Sequence, residues 1–296
     1  MPDEIHERIT GRTELIALIA DPIRHSRSPR MHNLALAHLG IDAAYLAFEV
    51  DEDGLAAAVA GLAALGARGF NVSMPHEMSI VPLLDEISDA ARLIGACNTV
   101  VRVGGRLRGE NTDGVGYVAA LRERGVEVAG ATLTLLGAGG AATAIAVQCA
   151  LDGARAIRLF NRRDRFFAHG EQIVATVREG TGTDITLHDL EDLPALRAAV
   201  AESHVLANAT EVGMGALAHL SPLPDPAVLR PDLFVSDVVY APERSLLLRH
   251  AEAAGCRVMN GLGMMFHQGA ASFRLWTGQE MPLDVVRAHM DEEESR

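Results

Sequence analysis

The apolar run Thr132–Leu136 gives way directly to Gly137-Ala138-Gly139-Gly140-Ala141-Ala142, a GxGxxA spacing at the point where a helix should begin. The first glycine permits a tight turn, the second lets the backbone approach a pyrophosphate, and Ala142 allows close packing of helix on strand. The helix N-terminus adds N–H donors and the positive end of its dipole. At the end of a second apolar run, roughly the separation at which a dinucleotide fold contacts the ribose, stands Asn161-Arg162-Arg163-Asp164. Arginine there suits the 2′-phosphate of NADP, whereas an acid suits the ribose hydroxyls of NAD, so the segment points both ways. As a solvated charge cluster it needs no ligand at all.

A second set of polar residues follows other apolar runs. Arg24-His25-Ser26-Arg27-Ser28-Pro29 comes after residues 15–20, and ligands of open α/β sheets collect at such strand ends. Ser26 and Ser28 can donate to one carboxylate, with Arg24 or Arg27 adding charge. Equally, Ser28 can cap a helix that opens at Pro29. Asn71-Val72-Ser73-Met74-Pro75-His76-Glu77 also follows a short apolar run, with His76 read as an exposed loop residue. Asn98 and Asp113 close later segments, Asp113 within the turn-forming string Asn111-Thr112-Asp113-Gly114. As a set these supply amides, hydroxyls and a carboxylate to a polyhydroxylated small molecule, a coherent chemistry beside a hydride carrier.

Short apolar runs alternating with amphipathic stretches give the βαβ rhythm of an α/β fold: a Rossmann-type nucleotide-binding domain plus a smaller α/β substrate domain with a mixed sheet. Strands are expected at residues 15–20, 45–50, 69–72 and 98–108, the last a hairpin turning at Gly104-Gly105. Helices are expected at 29–39, 55–65 and 80–94, the last with Pro82 in its first turn. After Gly114 a helix at 116–124 leads to the buried-type strand, and strand and helix then repeat through 157–160, 185–187, 205–207, 233–237 and 257–259. Residues 264–276 and 283–290 read as two closing helices, with the acidic residues 291–294 frayed. The expected division is a substrate-binding domain of residues 1–113, completed by helices within 263–296, and a nucleotide-binding domain of residues 114–262.

The 296 residues, 49% hydrophobic and 22% charged, suffice for one large or two ordinary globular domains and exclude disorder, collagen and coiled coil. Set against 39 acidic residues, the 26 basic ones leave a net charge of −13, and no basic run is present to neutralise a phosphate backbone, so nucleic acid is not an expected partner. Cys97, Cys149 and Cys256 form neither a CxxC pair nor a disulfide scaffold, which fits a reducing compartment and implies no metal. Residues 1–12 carry acids rather than a signal-peptide core, and no stretch approaches the roughly 18 apolar residues of a membrane span, so the reading is cytoplasmic with no membrane partner.

These strings resemble the shikimate dehydrogenase family, and more closely its quinate/shikimate dehydrogenase branch. The resemblance runs over almost the whole chain, through Asp21 to Pro29, Asn71-Val72-Ser73-Met74-Pro75, Gly95-Ala96-Cys97-Asn98-Thr99, Asn111-Thr112-Asp113-Gly114 and the glycine turn. It continues in Asn161-Arg162-Arg163-Asp164, Asn208-Ala209-Thr210, Val212-Gly213-Met214, Asp237-Val238-Val239-Tyr240 and residues 261–268. It implies that Ser26 and Ser28 hold a substrate carboxylate, and that Asn71, Ser73, Asn98, Asp113 and Gln268 hold ring hydroxyls with Tyr240 nearby. It further implies NAD or NADP across Gly137, Ala138, Gly139, Gly140 and Ala141, with Asn161, Arg162, Arg163, Asp164, Thr210, Val212, Met214, Val239, Gly261 and Met264 in its site. The implied activity is hydride transfer interconverting quinate with 3-dehydroquinate, shikimate with 3-dehydroshikimate, or both, by a homodimer.

One position departs from the family. Where its members carry a lysine that works with the aspartate matched by Asp113, this chain has Glu77, and it contains no lysine anywhere. A lysine stabilises alkoxide charge on the reacting hydroxyl, while a glutamate opposes it. A unit charge at about 4 Å is worth roughly 4 kcal/mol at an effective dielectric near 20. Either Glu77 and Asp113 share a proton and act as the acid–base pair, or the site welcomes an amino-substituted quinate or shikimate. Otherwise the lysine has been lost, leaving a slow or inactive protein that senses its ligand.

Overall fold

The computed structural model describes residues 9–24 and 26–294. The stretch read for a signal segment begins outside the described residues, and His25 lies outside them too. The chain divides into two compact units, residues 1–112 with 269–296 and residues 113–268.

The first unit carries β1 (Glu14–Ala20), α1 (Ser28–His38), β2 (Ala43–Glu49), α2 (Leu55–Ala64), β3 (Gly69–Val72), β4 (Glu86–Ile87), α3 (Asp89–Ile94), β5 (Thr99–Val103) and β6 (Arg106–Glu110). Its six-stranded sheet has the order β2-β1-β3-β5-β6-β4. β1 pairs in parallel with both β2 and β3, whereas β3–β5 and β5–β6 are antiparallel, so the sheet is mixed. Leu55, Val59 and Leu62 of α2 bury against Ala17, Ile19, Phe70 and Val100 of the sheet, the helical spacing that places one stripe on the core. In this order the chain leaves β1 towards opposite sides, and the loops after β1 and β3 meet at the switch point where open sheets bind ligands. Main-chain bonds from Asp21 to Met74 and from Ser73 to Ile19 join those loops.

Residues 80–94 do not form the expected single helix. They make a 3₁₀ turn, Val81–Leu83, then the short strand β4, then α3. Pro82 sits in the 3₁₀ turn, and Asp85 beyond it accepts from Leu107 N at 2.7 Å, which draws β4 onto β6. α3 then starts afresh, with Ser88 accepting from Ala91 N. Helix α1 begins at Ser28 itself, with Arg27 at the N-cap and no side-chain cap, so Ser28 is not the cap that the sequence allowed.

The second unit contains α4 (Asp113–Glu123), β7 (Thr132–Leu136), α5 (Gly140–Leu151), β8 (Ala156–Asn161), α6 (Phe167–Thr181), β9 (Asp184–Asp189), α7 (Leu193–Glu202), β10 (Val205–Asn208), β11 (Phe234–Asp237), α8 (Leu246–Ala253) and β12 (Arg257–Met259). All neighbours in the sheet β12-β11-β10-β7-β8-β9 are parallel, the doubly wound order with its switch point between β7 and β10. All five residues of β7 are buried, as a strand covered on both faces requires. α9 (Gly261–Thr277) spans the division at 268/269, and α10 (Leu283–Glu294) continues through the residues expected to fray. Asp113 is the first residue of α4 rather than part of a turn.

Candidate functional site

In the first unit the loop after β1 carries Ser26 and leads into Ser28 at the start of α1, both half-buried, and Ser26 Oγ accepts from Ser28 N at 3.2 Å. Arg24 is largely exposed and pairs with Glu49 at 3.7 Å. The loop after β3 carries the half-buried Ser73 and Glu77, and the Glu77 carbonyl accepts from Cys97 N at 2.8 Å. His76 is fully buried, not exposed. Its Nε2 lies 2.6 Å from Val50 O, which ties this loop to the end of β2.

Asn98, just before β5, is 5% exposed, and its Oδ1 accepts from Thr112 N at 2.9 Å, Thr112 Oγ1 at 3.1 Å and Thr99 Oγ1 at 3.0 Å. The amide oxygen is therefore turned into the protein, and Nδ2 is the face Asn98 presents elsewhere. Asn71, on β3, is engaged on every side by protein groups. Its Oδ1 lies 2.7 Å from Tyr45 OH, and its Nδ2 reaches Asn98 O at 3.0 Å, Thr99 Oγ1 at 2.9 Å and Ser272 Oγ at 3.3 Å. Tyr45 and Ser272 belong to the same polar network and escape the sequence reading. Tyr45 sits in the apolar alternation of β2, and Ser272 stands in the middle of a helix.

In the second unit Asp113 opens α4, where the helix dipole favours its carboxylate. Two close approaches fix that helix. A Cβ at Gly114 would lie 2.4 Å from Ala144 O on α5, and one at Gly116 would lie 2.5 Å from Gln268 N on α9. Asp113, Gln268 and the middle of α5 therefore share one packed frame.

The glycine turn precedes α5. Gly137 has φ +106°, and a Cβ there would lie 2.7 Å from Thr210 Cγ2, so both conformation and contact demand glycine. Gly139 and Gly140 differ, for a Cβ at either would meet nothing within 4 Å. The helix start has no side-chain cap, so no capping side chain engages its first N–H groups. An anionic dinucleotide phosphate fits there. His169 Nδ1 lies 2.6 Å from Ala138 O and braces the turn from α6.

At the end of β8, Asn161 Nδ2 donates to Arg162 O and to Asp164 Oδ1, which also accepts from Phe166 N at 2.8 Å. Arg163 pairs with Asp189 at 2.8 Å and lies over the ring of Phe167. After β10 and β11, the buried Asp237 accepts from Asn208 Nδ2 at 2.8 Å, Val239 N at 3.0 Å and Ser245 Oγ at 2.5 Å. Burial pushes its carboxyl pKa upward against those three donors. Asn208 Oδ1 in turn accepts from Thr210 N and Thr210 Oγ1. Met214 and Tyr240 are exposed, Val239 and Met264 are buried, and Gly261 N donates to Val239 O. Among the described residues no group of three or more His, Cys, Asp or Glu could hold a metal ion, and no helix is long and apolar enough to cross a membrane.

Residues 18–100 match the family model of the shikimate dehydrogenase substrate binding domain, and residues 261–290 that of the shikimate 5′-dehydrogenase C-terminal domain. A shikimate dehydrogenase (NADP(+)) of Streptococcus uberis is 53% identical over 284 residues, 95% of this chain and 96% of its own. A solved shikimate 5-dehydrogenase from Listeria monocytogenes, in complex with shikimate and NAD, is similar with a TM-score of 0.95 and 51% identity, covering 97% of this chain and 100% of that one. Quinate dehydrogenase from Corynebacterium glutamicum, in complex with NAD, gives a TM-score of 0.85 at 28% identity, covering 95% and 99%.

Proposed function

Because the chain belongs to the shikimate dehydrogenase family and is an NAD(P)-dependent oxidoreductase of that type, we propose that it oxidises shikimate to 3-dehydroshikimate with NADP, and quinate less well. Relatives at half identity support shikimate as the substrate, and the curated ones support NADP, while the Listeria monocytogenes enzyme is solved with NAD. Ser26 and Ser28 donate to the substrate carboxylate, Ser73 and the Nδ2 face of Asn98 hold ring hydroxyls, and Asn71 supports Asn98 rather than touching the ligand. Asp113 takes the proton of the reacting hydroxyl, and Gln268 holds that hydroxyl beside it. Held along the glycine turn of residues 137–140, NADP would supply the hydride acceptor for the reacting carbon. The observation that carries this reading is the seat of Gly114 on Ala144, which builds the acid–base carboxylate and the nucleotide turn into one frame.

In this reading Glu77 slows the reaction, because its negative charge opposes the charge that builds on the substrate oxygen. Steady-state oxidation of shikimate and of quinate by the natural chain and by Glu77→Lys tests it. A gain of about a hundredfold or more in kcat is expected from the variant, the size of a general acid–base contribution. A natural chain already fast, with no gain in the variant, would make Glu77 a working acid–base group instead.

A further inference from the structure

Tyr45, on the edge strand β2, is wholly buried, yet the proposed reaction gives its hydroxyl no role. Its ring stacks on the imidazole of His32 with 4.4 Å between centroids, and Trp276 tilts beside it at 6.0 Å. Its main chain is held as closely, since Asn33 on α1 accepts from Tyr45 N at 2.9 Å and donates to Tyr45 O at 2.8 Å. These contacts deliver the hydroxyl to one place, 2.7 Å from Asn71 Oδ1.

The sense of that bond follows from the other partners of Asn71. Its amide reaches the main-chain oxygen of Asn98 at 3.0 Å, and a carbonyl only accepts, so Nδ2 faces Asn98 and Oδ1 faces Tyr45. Tyr45 must then donate, and its single proton is committed. Thr99 Oγ1, accepting from Asn71, directs its own proton towards Asn98 Oδ1 at 3.0 Å or Ser272 Oγ at 2.7 Å.

We propose that Tyr45 is a positioning residue for substrate recognition. Its hydroxyl proton holds Asn71 Oδ1 and so steadies the amide by which Asn71 supports Asn98 and Thr99. One buried phenol thereby supports the side of the site that meets the ring hydroxyls of a polyhydroxy acid. The inference rests on the substrate assignment above, and its test separates the two.

Tyr45→Phe keeps the ring and its stack while removing the proton. The expected result is a rise of about tenfold in KM for shikimate, with kcat and KM for NADP within about twofold. On an Asn71→Ala background the same change should add nothing, since one interaction cannot be lost twice. A purely structural role would lower kcat through a smaller active fraction while leaving KM alone, and that result overturns the proposal, as do additive effects in the double variant. Should Asn71→Ala not fold, calorimetric titration of Tyr45→Phe with shikimate decides, an unchanged Kd overturning it. Failure of the natural chain to oxidise shikimate would instead overturn the functional reading.

Discussion

At the end of β8, neighbouring residues that look alike as charges have separate duties. Asp164 Oδ1 is occupied by Asn161 Nδ2 and Phe166 N, so this carboxylate builds the turn. Arg163 is engaged by Asp189 and by the ring of Phe167. Arg162 is exposed, and among the described residues its guanidinium is the arginine of this string with no ion pair to break before meeting a phosphate. The sequence leaves the NAD or NADP choice open here because a string shows charges and not which of them are already spent. Arg162→Ala should therefore raise KM for NADP about tenfold to a hundredfold, the loss of a charge-assisted bond, with little change for NAD. Asp164→Ala should weaken both cofactors alike by loosening the turn. Steady-state KM values for NAD and NADP check both, and a loss confined to NAD in Asp164→Ala would assign that carboxylate to the ribose.

Between elements, the ends of β10 and β11 are joined by the Asn208, Asp237 and Ser245 bonds, and the loops they launch carry Thr210, Val212, Met214 and Val239. The strings containing these residues are legible in sequence, but their mutual support is not, because Asn208 and Asp237 pair across strands 29 residues apart in the chain. The same blindness to non-local partners explains the misread segment at 80–94, where Asp85 and Ser88 bond to β6 and break an apparently continuous helix. Asp113 was readable as a candidate yet not as a helix start, since Gly114 suggests a turn until its contact with α5 is known. Asp237→Asn replaces an acceptor of three hydrogen bonds by a group that must donate at one of its atoms. KM for NADP should rise about tenfold while KM for shikimate holds within about twofold. Equal rises in both would mean that the bonds support the unit as a whole and not its cofactor loops.

In the molecule as a whole, each unit sets some of its polar residues at the carboxyl ends of parallel strands, so α/β rhythm plus strand-end chemistry made the architecture and those candidates legible. Interior polar groups were not, and His32 is the extreme case. It is 1% exposed, neither ring nitrogen has a hydrogen-bond partner among the described residues, and its neighbours Tyr45, Phe273 and Trp276 carry no charge. Burial lowers its pKa from 6.5 to about 3. The unfolded chain therefore binds a proton below pH 6.5 that the folded chain refuses, and stability present in full above that pH is lost as pH falls towards the folded value. The loss from this group approaches about 1.4 kcal/mol per pH unit, or roughly 2 kcal/mol at pH 5. His32→Phe keeps a stacked ring and removes the titration. Urea unfolding at pH 7.5 and pH 5, followed through the single tryptophan, Trp276, whose ring lies 5.3 Å from that of His32, measures the difference. The natural chain should lose more stability over this interval than the variant by about that amount, carboxylate titration being common to both. Equal losses would show that folded His32 takes up its proton despite burial.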